Sequence, residues 1–298
     1  MTAPGAVAAL SAGVRSTADP RHDAPAAPVI PSPLVTLEAL LATPPARPHR
    51  LIEIGADPTA GPGSASDPEP LVPGALRLGI SDFAGAEGPA TGRQPLPEHA
   101  RLAGTLIRSG IAPGTALLLY AREASALSIA ARGWVTLRWA GARDVRVLRT
   151  EPGSEPASRA AELAAWIAAS GAQAPPAPAE FVPDRTVVAT SEQVAARPLE
   201  SLLIDARGPE AYGDAGSHIA GAQNLPTGLL VDEHGVRTPE EIRAAYRAVL
   251  GVEPDDRELI LSCGSGISAS LQALALASAG VAAPVYIGSW SEWSKLER

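Results

Sequence analysis

The two halves of this chain carry the same series of predicted elements in the same order. In each half a short helix and an apolar strand lead into a glycine-containing turn, then a longer helix and two further strands. The corresponding pairs are residues 36–41 and 191–194, 51–54 and 202–205, 71–75 and 218–222, 102–110 and 239–250, 117–120 and 259–262, and 144–147 and 283–286. Because partners lie at nearly constant separation along the chain, we interpret the pattern as an internal duplication. Strands that alternate with helices predict two tandem α/β domains, each a parallel sheet flanked by helices.

Composition marks the expected domain boundaries. Residues 1–32 are rich in Ala, Pro, Gly and Ser, which predicts a disordered tail. A proline-rich stretch at residues 173–182 is typical of a semi-rigid linker. We therefore expect a first domain at residues 33–172 and a second domain at residues 183–298.

The overall charge and the cysteine count exclude several classes of protein. A net charge of −8 argues against a nucleic-acid-binding protein, which would normally present a basic face. No run of about 18 strongly apolar residues is present, so a membrane-spanning segment is not expected. The N-terminus lacks a basic segment before its apolar residues, which favours a cytoplasmic location. A single cysteine excludes an internal disulfide and a multi-cysteine metal site, and we expect neither a metal nor a cofactor.

That single cysteine, Cys263, lies where a buried strand is predicted to end. Gly264-Ser265-Gly266 follows it, and a helical pattern begins near Ser268, which we expect to cap that helix. In such a turn, backbone N–H groups converge on the sulfur and the positive end of the helix dipole lies beneath it. These surroundings stabilise a thiolate and can hold an anion.

The corresponding position in the first half carries none of this chemistry. In the comparison of the two halves, Ala121 corresponds to Cys263. Residues 122–124, which contain no glycine, correspond to the glycine-rich turn. Only the second half is therefore expected to be active.

Four stretches of the second half carry a family resemblance, and the first half adds Pro73-Gly74-Ala75. They are Leu203-Ile-Asp-Ala-Arg207, His218-Ile-Ala-Gly-Ala-Gln-Asn-Leu-Pro226, Cys263-Gly-Ser-Gly-Ile-Ser-Ala269 and Gly288-Ser-Trp-Ser-Glu-Trp293. With them the chain, from about Val35 onward, resembles the tandem rhodanese family of sulfurtransferases. This resemblance implies two rhodanese-like domains, of which the first is inactive. The Cys-Gly-Ser-Gly loop is similar to that of the 3-mercaptopyruvate branch, whereas the thiosulfate branch carries cationic side chains after the cysteine.

The resemblance also implies a reaction and a site. The Cys263 thiolate would take a sulfane sulfur from a small-molecule donor, thiosulfate or 3-mercaptopyruvate, and pass it from a persulfide to cyanide or a thiol. Cys263 is the implied catalytic residue. The implied substrate-binding residues are Gly264, Ser265, Gly266, Ile267, Ser268 and Arg207.

The residues that would select the donor depart from the family pattern. In the mercaptopyruvate branch a serine matching Ser265 belongs to a Ser-His-Asp relay. Here Asp82 lies near the expected aspartate position, but Arg93 or Gln94 stands at the histidine position. Residues 208–217 lack the two arginines that bind the donor carboxylate in that branch. Arg207, Arg77 and Arg93 are the candidate substitutes, and the donor stays open.

Three other functions are alternatives to sulfur transfer. A cysteine-dependent phosphatase needs an arginine six residues after the cysteine to hold phosphate, and Ala269 occupies that position. A cysteine protease needs a histidine base, for which His218 and His234 are available without any context that marks a base. The altered donor residues support a third alternative, a non-catalytic binding or persulfide-sensing module, whereas the intact Cys263 loop argues against it.

Overall fold

The computed structural model describes residues 32–55, 69–123, 126–149, 156–171, 180–213 and 217–296, which form two α/β units. The predicted tail at residues 1–32 lies outside the described residues except for its last position. Residues 173–179, most of the predicted linker at 173–182, lie outside them as well, so the boundaries on either side of it remain predictions.

The first unit contains the following helices and strands among its described residues. The strands are β1 (Leu34–Thr36), β2 (His49–Ile54), β3 (Leu76–Leu78), β4 (Ala116–Ala121) and β5 (Asp144–Arg149). The helices are α1 (Leu37–Leu41), α2 (Ile80–Phe83), α3 (His99–Arg108), α4 (Leu127–Ala140) and α5 (Ala160–Ala169).

The second unit repeats this plan. Its strands are β6 (Val188–Ala189), β7 (Leu202–Asp205), β8 (Gln223–Asn224), the hairpin strands β9 (Val231–Asp232) and β10 (Gly235–Val236), β11 (Leu259–Ser262) and β12 (Val285–Tyr286). Its helices are α6 (Ser191–Ala195), α7 (Pro209–Tyr212), α8 (Pro239–Leu250), α9 (Ile267–Ser278) and α10 (Ser289–Trp293), with a 3-10 turn at Thr227–Leu229.

The two main sheets have the same topology. Their strand orders are β1-β5-β4-β2-β3 and β6-β12-β11-β7-β8, and every pairing in both is parallel. Equivalent central strands align in equivalent registers, since Glu53 lies opposite Tyr120 and Asp205 lies opposite Ser262. The predicted duplication and the two tandem parallel-sheet domains are confirmed.

Two helices join the units into one hydrophobic core. Helix α4 of the first unit packs against α9 of the second, and residues of both belong to a single buried cluster. Helix α4 is buried on nearly all sides because it lies between its own sheet and α9. The active loop predicted at Cys263 leads directly into α9, so the first unit lies against the base of that loop.

In the described residues we find no helix with both the length and the apolarity needed to cross a bilayer.

Candidate active site

Cys263 follows β11 and is buried, with 2% of its surface exposed. The Gly266 N–H donates a hydrogen bond to the Cys263 Sγ at 3.1 Å. Gly266 has a φ of +81°, and a β-carbon built there would lie 2.6 Å from the Ile287 carbonyl oxygen. Both the backbone conformation and the close approach therefore require glycine.

Helix α9 begins at Ile267, and Gly266 is its N-cap without a side-chain hydrogen bond. The prediction that Ser268 caps this helix is wrong, because the turn of Gly266 already sets the helix start. Gly264, Ser265 and Gly266 form the turn after Cys263, and Ile267 and Ser268 are the first two residues of α9; of these five, Gly266 is the residue whose N–H contacts the sulfur in the structure. Ser268 also connects the loop to the 3-10 turn at Thr227–Leu229, since the Ser268 carbonyl accepts a hydrogen bond from the Thr227 hydroxyl at 3.1 Å.

A second segment, at the start of α10, clamps the loop from the other side. The Cys263 N–H donates to the Ser289 hydroxyl at 3.0 Å, and the Trp290 N–H donates to the Cys263 carbonyl at 3.0 Å. The Ser291 N–H donates to the Gly264 carbonyl at 2.9 Å. Ser289 Oγ lies 3.9 Å from Sγ, and its residue has a positive φ of 52°. The sequence predicts no role for Ser289, because nothing in the Gly288–Trp293 motif indicates a contact with Cys263.

Arg207 lies beside the loop but is engaged by its own domain. Its guanidinium donates to both carboxylate oxygens of Asp205, at 2.7–3.0 Å, and to the carbonyls of Ala211 and Ser217. A β-carbon built at Gly264 would contact the Arg207 Cδ at 3.8 Å. Arg207 therefore holds the strand edge next to the loop, and most of its donors are already used.

The first unit contributes the segment Gly92–Pro95 to the site. The Arg93 N–H donates to the Ser291 hydroxyl at 3.0 Å, and the Ser265 hydroxyl lies 3.5 Å from Gln94 Oε1. A β-carbon built at Gly264 would lie 3.1 Å from the Arg93 Nη2. Arg93 is exposed, and among the described residues its guanidinium has no hydrogen-bond or ion-pair partner. A cation without a partner thus stands at the edge of the loop.

The group that faces the Ser265 hydroxyl is therefore a neutral amide. The Asp82 carboxylate accepts a hydrogen bond from the Gly79 N–H at 2.9 Å, at the start of its own short helix. An amide cannot take a proton as a histidine would, so Gln94 cannot serve as the base of a relay.

In the first unit the equivalent edge is filled by a carboxylate of the chain itself. Glu53 is fully buried and accepts hydrogen bonds from the Tyr120 hydroxyl at 2.5 Å, Arg122 Nη1 at 2.6 Å and the Leu71 N–H at 2.6 Å. Arg77 Nε lies 3.1 Å from Glu53 Oε1, which places this third candidate arginine in the cluster of the first unit. Burial, followed by the hydrogen bond to Glu53, raises the pKa of Tyr120. Because Ala121 follows Tyr120, the described residues of this edge, which end at residue 123, include neither a cysteine nor an open anion site.

Comparison with known proteins agrees with this arrangement. The family profile described as rhodanese-like domain matches residues 190–296. A probable 3-mercaptopyruvate sulfurtransferase from Pseudomonas aeruginosa is 35% identical over 217 residues, which are 68% of this chain and 73% of the relative. The chain belongs to the rhodanese family of sulfurtransferases.

Two further relatives extend the comparison to both rhodanese domains. A Mycobacterium tuberculosis protein provisionally named thiosulfate sulfurtransferase SseB is 31% identical over 242 residues, or 75% of this chain and 80% of the relative. The crystal structure of SseA from Escherichia coli, described as a 3-mercaptopyruvate sulfotransferase, superimposes with a TM-score of 0.57 at 26% identity. It covers 81% of this chain and 93% of that one. The chain is thus a sulfurtransferase with two rhodanese domains, and its relatives are named for two different donors.

Proposed function

We propose that this rhodanese transfers a sulfane sulfur from thiosulfate or 3-mercaptopyruvate, through a persulfide on Cys263, to cyanide or a thiol. The observation that carries the proposal is the hydrogen bond from the Gly266 N–H to Cys263 Sγ at the start of α9. An anionic sulfur at this position gains from a charge-assisted hydrogen bond and from the positive end of the α9 dipole.

The proposed steps with thiosulfate balance without a cofactor. The Cys263 thiolate attacks the outer sulfur of thiosulfate, a Cys263 S–S bond forms, and the original S–S bond breaks with its electron pair leaving on sulfite. Cyanide then attacks the outer sulfur of the persulfide, which yields thiocyanate and restores the Cys263 thiolate. Both the thiolate and the persulfide are anions at the same place, so one set of donors serves both steps.

The sulfur-loading experiment follows the intact mass of the purified chain. Incubation with thiosulfate or 3-mercaptopyruvate is expected to add about 32 Da for one sulfur atom, and later cyanide or dithiothreitol should remove it. Protein whose cysteine was alkylated beforehand is the control and should gain nothing, because the chain has one cysteine. If neither donor adds sulfur, the persulfide mechanism is wrong and the binding or sensing module is favoured.

The surroundings of Ser265 and Arg93 support thiosulfate as a competent donor. Release of sulfur from 3-mercaptopyruvate breaks a C–S bond and leaves an enolate, which must receive a proton. Release from thiosulfate leaves sulfite, which needs none. Since Ser265 faces Gln94 and not a base, the proton-dependent donor gains less help from this site. The unpaired guanidinium of Arg93 is placed to attract an anionic donor.

We expect thiosulfate to be used with a kcat/KM within about 10-fold of that of 3-mercaptopyruvate. We also expect Arg93→Gln to raise the KM for thiosulfate roughly 5- to 10-fold, because one charge-assisted contact is lost. Steady-state thiocyanate formation measures both. Arg108→Gln is the matched control, since Arg108 bonds the Thr105 hydroxyl within α3. A 100-fold preference for 3-mercaptopyruvate, or an unchanged KM in Arg93→Gln, would contradict this donor assignment.

A further inference from the structure

Among the described residues, Arg132 has the largest side chain that is fully buried. It belongs to α4 of the first domain and extends toward the interface with α9. Its Nη2 donates to the carbonyls of Phe83, Gln94 and Pro95 at 3.0–3.2 Å. One nitrogen of this guanidinium therefore holds the segment that brings Arg93 and Gln94 to the site.

The other two nitrogens of Arg132 are left without partners. Nε and Nη1 are buried and make no hydrogen bond. A buried donor without an acceptor is costly, and a buried charge without a counter-ion is more so. Such an arrangement persists when another part of the structure offsets it.

The unpartnered Nη1 lies directly against the active loop. A β-carbon built at Gly266 would be 2.7 Å from Arg132 Nη1. Gly266 is the residue whose N–H bonds Cys263 Sγ at 3.1 Å. The guanidinium thus lies on the interior side of the turn that cradles the sulfur.

Arg132 carries its charge at neutral pH. Burial lowers the pKa of Arg132 to about 10, and the attraction of Cys263 opposes that decrease. No carboxylate among the described residues forms an ion pair with Arg132, and α9, which packs against it, contains no ionisable residue. Within the described part of the chain, Cys263 is the acidic group whose attraction acts on this buried cation.

The other charged groups around the loop already have a partner or face solvent. Asp205 pairs with Arg207, the Asp82 carboxylate caps Gly79, the Glu292 carboxylate accepts from the Tyr286 hydroxyl, and Arg93 is exposed.

We infer that Arg132 is the buried counter-cation of the Cys263 anion, so that the first rhodanese domain supplies the charge that the Cys-Gly-Ser-Gly loop itself lacks. Arg132 is a positioning residue, since it acts through the loop and does not reach the donor. The inference rests on the proposed role of Cys263 and adds a function for the domain that has no nucleophile. The packing of α4 against α9 is what brings the guanidinium to the loop.

The test measures how the alkylation rate of Cys263 by iodoacetamide depends on pH, with intact mass as the readout. The variants are Arg132→Gln, which removes the charge, and Arg132→Lys, which keeps it. We expect the pH midpoint of alkylation to rise by at least about one unit in Arg132→Gln, with roughly 10-fold slower alkylation at neutral pH. Arg132→Lys should recover at least half of that shift. Arg138→Gln is the matched control in the same helix, where Arg138 lies over the Trp134 ring, and it should keep the wild-type midpoint.

An unchanged midpoint in Arg132→Gln, even with a lower melting temperature, would overturn the inference and leave Arg132 a purely structural role. Because alkylation needs no sulfur donor, this outcome is distinguishable from failure of the sulfur-loading experiment.

If Arg132→Gln does not fold, the interaction between Arg132 and Cys263 is measured by removing the thiol instead. Urea unfolding of the wild type and Cys263→Ala is compared between about pH 6 and pH 9, the range in which thiols ionise. The stability of the wild type relative to Cys263→Ala should increase with pH, because the anion forms next to Arg132 in the folded state. A difference that does not vary with pH would overturn the inference.

Discussion

Cys263→Ser is expected to lose thiocyanate formation with either donor by at least about 10³-fold, a loss typical of enzymes deprived of their nucleophile. A serine hydroxyl is almost entirely protonated at neutral pH, and it cannot replace a thiolate in attack on a sulfane sulfur. The backbone contacts of residue 263 with Ser289 and Trp290 do not depend on the sulfur, so the loop should keep its shape. Steady-state thiocyanate release measures the loss.

Two controls make this loss interpretable. The melting temperature of Cys263→Ser should stay within a few degrees of the wild type, as expected when a small buried side chain is replaced by one of similar size. Ser278→Ala alters a serine at the far end of α9, where its hydroxyl bonds the Ala275 carbonyl, and it should keep full activity. Residual activity above about one hundredth of the wild type would mean that the sulfur does not travel on Cys263.

Glu53→Gln is expected to destabilise the protein by about 3–5 kcal/mol, as when one partner of a buried ion pair is removed. The substitution keeps the size of the side chain but removes the charge that faces Arg77 and Arg122. It also replaces one carboxylate oxygen by an amide nitrogen, and Glu53 Oε2 now accepts from both the Tyr120 hydroxyl and the Leu71 N–H. These donors would be left buried with fewer acceptors, which adds to the cost.

Urea unfolding monitored by circular dichroism measures this change. Glu162→Gln is the matched control in the same domain, because Glu162 pairs with Arg159 on the surface of α5 and should leave the midpoint unchanged. Since both domains share one hydrophobic core, we expect a single transition to shift. A destabilisation below about 1 kcal/mol would show that the arginines retain their partners without the Glu53 charge.

Local signals in the sequence predicted the elements well where the residues themselves set the ends. Helix α8 spans the predicted residues because Thr238 forms a capping box with Glu241 and Gly251 ends the helix in a left-handed conformation. Strands β4 and β11 were predicted from apolar runs, and their ends differ from the prediction by at most one residue. The start of α9 was misplaced because the φ of Gly266, and not the side chain of Ser268, decides where the helix begins.

By itself the sequence determined the duplication, the parallel α/β class and the position of the single cysteine between a strand and a glycine-rich turn. These features depend on short-range periodicity and on residues adjacent in the chain. Only the tertiary structure decided which side chains of the first domain lie against the loop of that cysteine. The contacts of Ser265 with Gln94, of Arg93 with Ser291 and of Arg132 with the Gly266 turn each join residues from different domains. They exist because α4 packs against α9, and no local pattern encodes which side chains such packing brings together.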